Sequence, residues 1–505
     1  MQFSRRTFLK AGGSSVALLA TVGCDQLPRE LRAFYEPAKS TGPFRPSASE
    51  EIDPVTHALN RVAFGPRPGD YERVSKLGPT PAAAAAAYLE QQLNPERIDD
   101  AEADRAVRRF ETLGEPPGEL FEYQDKLLHD ELMRGTLARA VFSGRQLFEV
   151  MVQFWSDHFN IDPSKGDCKW LKVADDREVI RRHALGKCPE LLRASALSPA
   201  MLWYLDGRVN RRESMAQKPN ENYARELLEL HTLGVHGGYT QQDVMEVARC
   251  LTGWTVRSKD QKPYFEIGRI EFKLQLHDCE AKTVLGQIIP AIPAHLGKAE
   301  RERLGRAELD RVLEIAIRHP ATARHLSGKL CQRFIADEPP ATAVESVARA
   351  FAESNGDIRA TLRALFATDE FRAQRGNKLK RPFNYIVSVL RATGASTDAG
   401  MEIIDYLRRM GHAPFNYPTP DGYPEPAAPW LGTLLWRWNF ALAVSDNRIK
   451  GTRMEFETLR KNCGGDAGLM AHLLGRKPTA QETQAYHDSG AGLALMLASP
   501  AFQRC

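Results

Sequence analysis

One stretch of the sequence decides the fold class: Asn220-Glu-Asn-Tyr-Ala-Arg-Glu-Leu-Leu-Glu-Leu-His-Thr-Leu-Gly234, continued by Val-His-Gly-Gly-Tyr-Thr240. Asn220 is a favourable helix N-cap, and Gly234 is placed as a C-terminal stop. Thr240 and Asp243 have the spacing of a capping box, which opens a second helix. The pattern therefore predicts two helices joined by a glycine-rich turn.

The first of these helices concentrates polar residues beside an apolar arc. On a helical wheel Tyr223, Leu227 and Leu228 face the core, and His231 lies within the same arc. Glu226 borders the arc, where partial burial raises the pKa of a carboxyl group and suits it to general acid–base chemistry. The structural alternative is a charge ladder on a solvated face, with the histidine packed in the core.

Glu226 and His231 lack the spacing of an HExxH zinc helix, so the sequence identifies neither a metal nor a cofactor. A second polar motif, Phe154–Asn160, ends an aromatic-rich helix. We interpret both motifs as lining one pocket. The catalytic candidates are Glu226, His231 and Glu229, and the binding candidates are His158, Asn160, Asp206, Asn222, Arg225 and Tyr239.

Helical periodicity continues along most of the chain, including 82–93, 146–158 and 358–366. The alternation of apolar residues in 264–276 predicts one small β-hairpin inserted in the helical body. The proline-rich segment Pro414–Pro429 predicts a long extended loop that lines or covers a cleft. The expected fold is mainly α, a multi-helix body of two or three packed subdomains.

The N-terminus carries an export signal. Arg5-Arg6, followed by Phe8-Leu9-Lys10, resembles the twin-arginine consensus, and the apolar stretch behind it is too short to span a bilayer. Thr21-Val-Gly-Cys24 is similar to a lipobox, which predicts lipidation at Cys24 and an inner-membrane anchor. The expected organisation is a signal in 1–24, a linker in 25–53, a helical main domain in 54–445 and a C-terminal helical extension in 446–505.

The composition argues against nucleic acids as partners. The net charge is only +4 over 505 residues, with basic and acidic residues interleaved, which argues against nucleic-acid binding. Beyond Cys24 there are seven cysteines and no CxxC pair, so neither a zinc ribbon nor a thioredoxin-type motif is present. Expected partners are instead the twin-arginine export machinery and, through the anchor, the inner membrane.

Several long motifs occur in a fixed order: His57–Gly69, Phe154–Asn160, Asn220–Thr240, Val247–Trp254 and Pro420–Pro424. Through them the chain resembles the bacterial domain-of-unknown-function family number 1800 from about His57 to Ser445. The resemblance implies an exported protein, commonly encoded beside a second exported protein that is a possible partner. It implies no reaction.

Three functions compete. The first is an envelope hydrolase or lyase that uses the Glu226–His231 region, at the periplasmic face of the inner membrane. The second is a non-catalytic membrane-tethered scaffold or assembly factor, in which the polar motifs fix helix packing. The third is a metal- or cofactor-dependent redox protein. The GxSxG, Walker A, GxGxxG and CxxCH templates are all absent from the sequence.

Overall fold

The computed structural model describes residues 42–505 except 213, 215–216, 259–260 and 262. The predicted export signal and the predicted lipidation site, Cys24, lie outside these residues. The described residues belong to one compact unit, Thr41–Cys505. The last part of the expected linker is packed within it, because the backbone N–H of Phe44 donates to the carbonyl oxygen of Asn462 at 2.9 Å.

The described residues form 24 α-helices and three two-stranded antiparallel sheets, which confirms the mainly α fold with small hairpins. Asp176–Arg181 is a π-helical turn directly after α8. The strands are β1 Trp254–Val256, β2 Ile270–Phe272, β3 Lys282–Val284, β4 Gln287–Ile289, β5 Ser396–Thr397 and β6 Thr452–Arg453. The helices are α1 Pro54–Arg61, α2 Asp70–Ser75, α3 Pro81–Gln92, α4 Ala101–Val107, α5 Pro117–Leu120, α6 Asp125–Phe142, α7 Gln146–His158, α8 Cys168–Asp175, α9 Cys188–Ala196, α10 Pro199–Tyr204, α11 Asn222–Glu229, α12 Gln241–Cys250, α13 Lys298–Arg318, α14 Pro320–Phe334, α15 Ala341–Glu353, α16 Ile358–Phe366, α17 Asp369–Ala373, α18 Pro382–Ala392, α19 Met401–Arg409, α20 Leu434–Ser445, α21 Phe456–Asn462, α22 Asp466–Leu474, α23 Ala480–Asp488 and α24 Gly492–Leu497.

The helix–turn–helix of 220–250 forms with a shorter first helix than its sequence predicts. The Asn220 side chain accepts from the backbone N–H of Asn222, and the helix begins at Asn222, one residue later than an Asn220 N-cap predicts. At the other end the backbone N–H groups of Leu230 and His231 both donate to the carbonyl oxygen of Glu226, which ends the regular helix at Glu229. The capping box of Thr240 and Asp243 forms as predicted and starts α12.

The predicted hairpin in 264–276 is only half right. Ile270–Phe272 is a strand, but its partner is Trp254–Val256. A second hairpin, β3–β4, turns at Leu285 and Gly286, whose φ angles of 48° and 76° are those of a tight two-residue hairpin turn. This hairpin was not predicted from the sequence, because leucine rarely adopts a positive φ.

A continuous apolar core joins the helices from α1 to α24. Polar side chains are buried inside it at a few places, among them Arg61, which donates to the carbonyl oxygens of Phe334 and Ile335. No helix of the described residues is both long enough and apolar enough to cross a membrane.

Candidate functional site

Three motifs that are far apart in the sequence meet around the end of α7. The ring Nε2 of His158 lies 3.3 Å from the carbonyl oxygen of His231, in the turn after α11. The side-chain amide of Asn160 donates to the carbonyl oxygens of Tyr417 and Thr419, at 2.9 and 2.7 Å, in the proline-rich loop. The loop therefore covers the end of α7.

Lys329 on α14 reaches into this junction. Its Nζ lies 3.0 Å from Nδ1 of His158. Because Nε2 of His158 donates to the His231 carbonyl, the ring carries its proton on Nε2 and accepts the lysine N–H at Nδ1. Burial, with Lys329 itself, holds the pKa of His158 well below its usual value, so this imidazole is neutral.

The Lys329 amine is unusual for a lysine. Burial lowers its pKa from 10.5 to about 8, although the carboxylates of Asp157, Glu425 and Asp421 act in the opposite direction. Among the residues that the structure describes, Lys329 forms no ion pair within 4.0 Å. The amine is thus near the pKa that general-base catalysis at neutral pH requires, and the neutral His158 ring orients it by accepting a hydrogen bond. We call Lys329, His158, Asp157, Asp421 and Glu425 the lysine cluster.

Two carboxylates of the lysine cluster, those of Asp157 and Glu425, are held by buried cations. Asp157 pairs with Arg381 at 2.8 Å, and Arg381 also lies 3.2 Å from Glu425. Burial raises the pKa of Asp157 to about 6, and the Arg381 guanidinium limits that rise. Burial acts in the same direction on Glu425, but Arg381, Arg333 and Lys378 outweigh it, so the pKa of Glu425 falls below its usual value.

Gly422 fixes the loop against α7. Its φ of 70° is in the left-handed region, and a Cβ there would collide with the backbone carbonyl of Asp157. Two residues of the lysine cluster, Asp421 and Glu425, flank this glycine closely in the sequence. The glycine is therefore needed for the loop to bring its carboxylates to α7.

Two further histidines surround the lysine cluster. The rings of His231 and His325 have their centroids 6.1 and 6.3 Å from that of His158. Burial lowers the pKa of His231 to about 3 and that of His325 to about 4, so both rings are neutral. His158 uses both ring nitrogens in hydrogen bonds and His325 uses one for the Leu230 carbonyl oxygen. No metal-binding group of three histidine, cysteine or acidic residues exists among the described residues.

His231, a catalytic candidate of the sequence analysis, is only 2% exposed. Neither of its ring nitrogens has a hydrogen-bond partner among the described residues, and the ring packs 5.0 Å from that of Phe159. The structure thus brings His231 to the site through its backbone carbonyl, while its ring lies in an aromatic environment.

Glu226 and Glu229, both catalytic candidates from the sequence, are partly exposed, whereas His158 and His231 are buried. Glu226 is half-buried, and burial, followed by the neighbouring Glu229, raises its pKa. Glu229 accepts a hydrogen bond of 3.2 Å from the hydroxyl of Tyr239. Asp421 acts electrostatically on both Glu226 and Lys329, which links this carboxylate pair to the lysine cluster.

The remaining binding candidates are engaged in local contacts. Asp206 pairs with Lys165 at 3.0 Å. The Asn222 amide donates to the Leu205 carbonyl oxygen. Arg225 pairs with Glu221 at 2.8 Å, as the charge-ladder alternative predicts.

Sequence reasoning missed Lys329 and His325. Their i,i+4 spacing on a helix with an apolar opposite face was a signal that both side chains point the same way. Asp421 was within a quoted motif but received no role.

One family model matches the chain, over residues 57–504, and is described as "Protein of unknown function (DUF1800)". The matched range includes every residue of the lysine cluster. No curated protein and no solved structure matches the chain.

Proposed function

The chain belongs to the DUF1800 family, and we propose that it is an enzyme of the hydrolase or lyase type in which Lys329 is the catalytic base. One observation carries the proposal: a buried amine with a lowered pKa donates to a neutral imidazole rather than to a carboxylate. Such an amine is partly unprotonated near neutral pH and can accept a proton.

In the proposed reaction the neutral Lys329 amine removes a proton from a water molecule that attacks the substrate, or from a carbon acid in an elimination. The ammonium that forms is stabilised by the carboxylates of Asp157, Asp421 and Glu425 and donates to Nδ1 of His158. Glu226, whose pKa is raised, is suited to donate a proton to the leaving group. Proton transfer is thus assigned to Lys329 and Glu226 rather than to the ring of His231.

We also propose the place of action. The twin-arginine and lipobox resemblances of residues 4–24 support export in the folded state and attachment at Cys24 to the periplasmic face of the inner membrane. In that case the lysine cluster forms before export, and a co-encoded exported protein is a possible partner.

The scaffold function is a second candidate, and a specific observation favours it. Arg333, Lys378 and Arg381 all face the single carboxylate of Glu425 in the interior, at 3.6, 3.8 and 3.2 Å. Buried ionic groups of this kind can serve to fix one packing arrangement. In this alternative Lys329 only completes the network.

The test is turnover of a panel of chromogenic nitrophenyl esters and glycosides, together with uronate polymers for elimination. We expect wild type to turn over at least one class, and Lys329→Arg to lose about 100-fold or more of that rate, because arginine keeps the charge but cannot act as a base. Lys380→Arg is the matched control, since Lys380 is a second buried lysine outside the site. Absence of turnover by wild type across the panel would favour the scaffold, and equal rates of turnover by wild type and Lys329→Arg would exclude Lys329 as the base.

A further inference from the structure

A large cavity lies apart from the lysine cluster, between α9, α13, α14 and α15. Its volume is about 920 Å³. The α14 residues that line it, Pro320, Ala323 and Arg324, lie opposite His325 and Lys329 on the helix, because successive residues are rotated by about 100°. We call this cavity the α14 groove. It is on the other face of the helix that carries the catalytic candidate.

The floor of the α14 groove is apolar. Leu313 and Ile317 from α13, Ala323 from α14, and Ala348 and Phe351 from α15 contribute to it. The size is that of cavities that enclose small molecules, whereas protein partners use flatter surfaces. An apolar floor of this size fits a hydrocarbon chain.

The rim of the groove is charged, with a surplus of cations. Three arginines are already paired: Arg193 with Asp310 at 2.6 Å, Arg318 with Glu314 at 3.1 Å and Arg324 with Glu345 at 3.0 Å. Lys187 and Arg349 also line the groove, are exposed, and form no ion pair with another described residue. These two cations are therefore available to an anion.

The wall that carries Lys187 is held firmly. Lys187 forms an antiparallel bridge with Asp357, the backbone N–H of Cys188 donates to Gly356, and that of Ile358 donates to Gly186. The turn before α9 is thus pinned to the turn after α15. These bonds fix the backbone from which the Lys187 side chain extends at the groove, as a preformed site requires.

We infer that the α14 groove binds a long-chain fatty acid, with its carboxylate at Arg349 and Lys187 and its hydrocarbon chain along Leu313, Ile317 and Phe351. The two unpaired cations, Lys187 and Arg349, favour an anionic head group, and the apolar floor favours a hydrocarbon tail. The inference is independent of the proposed catalytic function, because the two sites lie on opposite faces of α14.

The experiment titrates the full-length chain with dansylated undecanoic acid and follows the fluorescence of the dansyl group. Wild type is expected to bind with saturation, and dodecanoate is expected to displace the probe. Arg349→Glu should weaken binding on the order of tenfold, because it reverses one of the two unpaired charges. Ile317→Gln should weaken it comparably by placing a polar group on the floor. Arg303→Glu is the control: it reverses an exposed arginine of α13, the helix that carries Ile317, outside the groove and should bind like wild type.

Circular dichroism of each variant shows whether it is folded. Both Ile317→Gln and Arg349→Glu are expected to fold, because neither residue is a buried core residue. Absence of saturable binding to wild type overturns the inference. So does displacement by dodecanol as effective as that by dodecanoate, since the cations would then have no role. A dimer that forms through the groove and is disrupted by Ile317→Gln would also overturn it, because a second copy would then be the occupant.

Discussion

Lys329 and Lys380 are two buried lysines with the same pKa, about 8, lowered in each case by burial. Their neighbours differ. Lys380 donates to the carbonyl oxygen of Phe502 at 2.8 Å and lies 4.3 Å from the centre of the Phe502 ring. Lys329 donates to an imidazole nitrogen and is faced by three carboxylates.

The difference shows that a lowered pKa alone does not identify a functional lysine. Both lysines donate to an uncharged acceptor, the Phe502 carbonyl oxygen for Lys380 and the neutral His158 ring for Lys329, so the acceptor does not separate them. Three acidic side chains act on Lys329 and oppose the effect of burial, whereas no acidic side chain of the described residues acts in this way on Lys380. Lys380 is also 6% exposed, while Lys329 is half-buried. Of the two, only Lys329 therefore combines a lowered pKa, partial exposure and acidic side chains that stabilise the ammonium.

The largest expected effect concerns the support of the lysine cluster. Arg381→Met removes the cation shared by Asp157 and Glu425. It should lower the free energy of unfolding by about 3–5 kcal/mol, because it leaves the buried Asp157 carboxylate without its cation and removes one of the three cations at Glu425. Urea unfolding measures the change. The control, Arg453→Met, removes an exposed pair with Glu455 and should cost less than ~1 kcal/mol. Equal costs would show that the cluster is not an ionic network.

The next effect tests whether burial acts equally on the two lysines. Burial lowers the pKa of each lysine from 10.5 to about 8, so the unfolded chain binds more protons than the native chain between these pH values. Burying each charged lysine therefore costs roughly 3 kcal/mol of stability below pH 8. This cost decreases as the pH rises and disappears towards pH 10.5. Lys329→Met and Lys380→Met should each raise the free energy of unfolding by up to ~3 kcal/mol at pH 7, less the lost hydrogen bond.

Unfolding at pH 7 and pH 10 measures this prediction. A gain at pH 7 that shrinks at pH 10 is expected for both variants. A higher free energy of unfolding for Lys380→Met but not for Lys329→Met would mean that the Lys329 amine is solvated. That result would contradict a lowered pKa at Lys329.

A third effect concerns His231, whose pKa is lowered to about 3. Below pH 6.5 the unfolded chain binds a proton that the native ring does not, so stability falls as pH decreases from 6.5 to about 3. His231→Phe keeps the ring's packing and removes this dependence. The slope of stability against pH should decrease by about 1.4 kcal/mol per pH unit in that window. An unchanged slope between pH 6.5 and 4.5 would indicate that the ring is protonated in the native state.

The smallest expected effect is a change in the pKa of Lys329, but not of Lys380, when the nearby carboxylate of Asp421 is removed. Asp421 is exposed and raises the pKa of Lys329, so Asp421→Asn should lower that pKa by less than ~1 unit. The pKa of Lys380 should not change. Carbon NMR of labelled lysines, assigned with Lys329→Arg and Lys380→Arg, measures both values. A shift at both lysines would contradict a local carboxylate contribution.

The sequence predicted the local features well because they depend on neighbouring residues. The helix 146–158 and the capping box at Thr240 follow from periodicity and spacing. It also identified His158, Asn160 and the proline-rich loop, which the fold brings together. Lys329 could not be selected in this way, because its pKa and its partners arise from α7, α14 and the loop only after folding. The β3–β4 hairpin was missed because its turn uses an uncommon leucine conformation.

Site-resolved acetylation of Lys329 and Lys380 tests the central claim most directly. The full-length protein is treated with limiting p-nitrophenyl acetate between pH 6 and 10, and the acetylated lysines are quantified by peptide mass spectrometry. At pH 8 about half of the Lys329 amine is neutral, against about 1% or less of an ordinary lysine. We predict that Lys329 reacts on the order of tenfold faster than exposed Lys298, with a midpoint near pH 8. Lys380 should stay protected. Reaction of Lys329 no faster than that of Lys380 would contradict its assignment as the catalytic base.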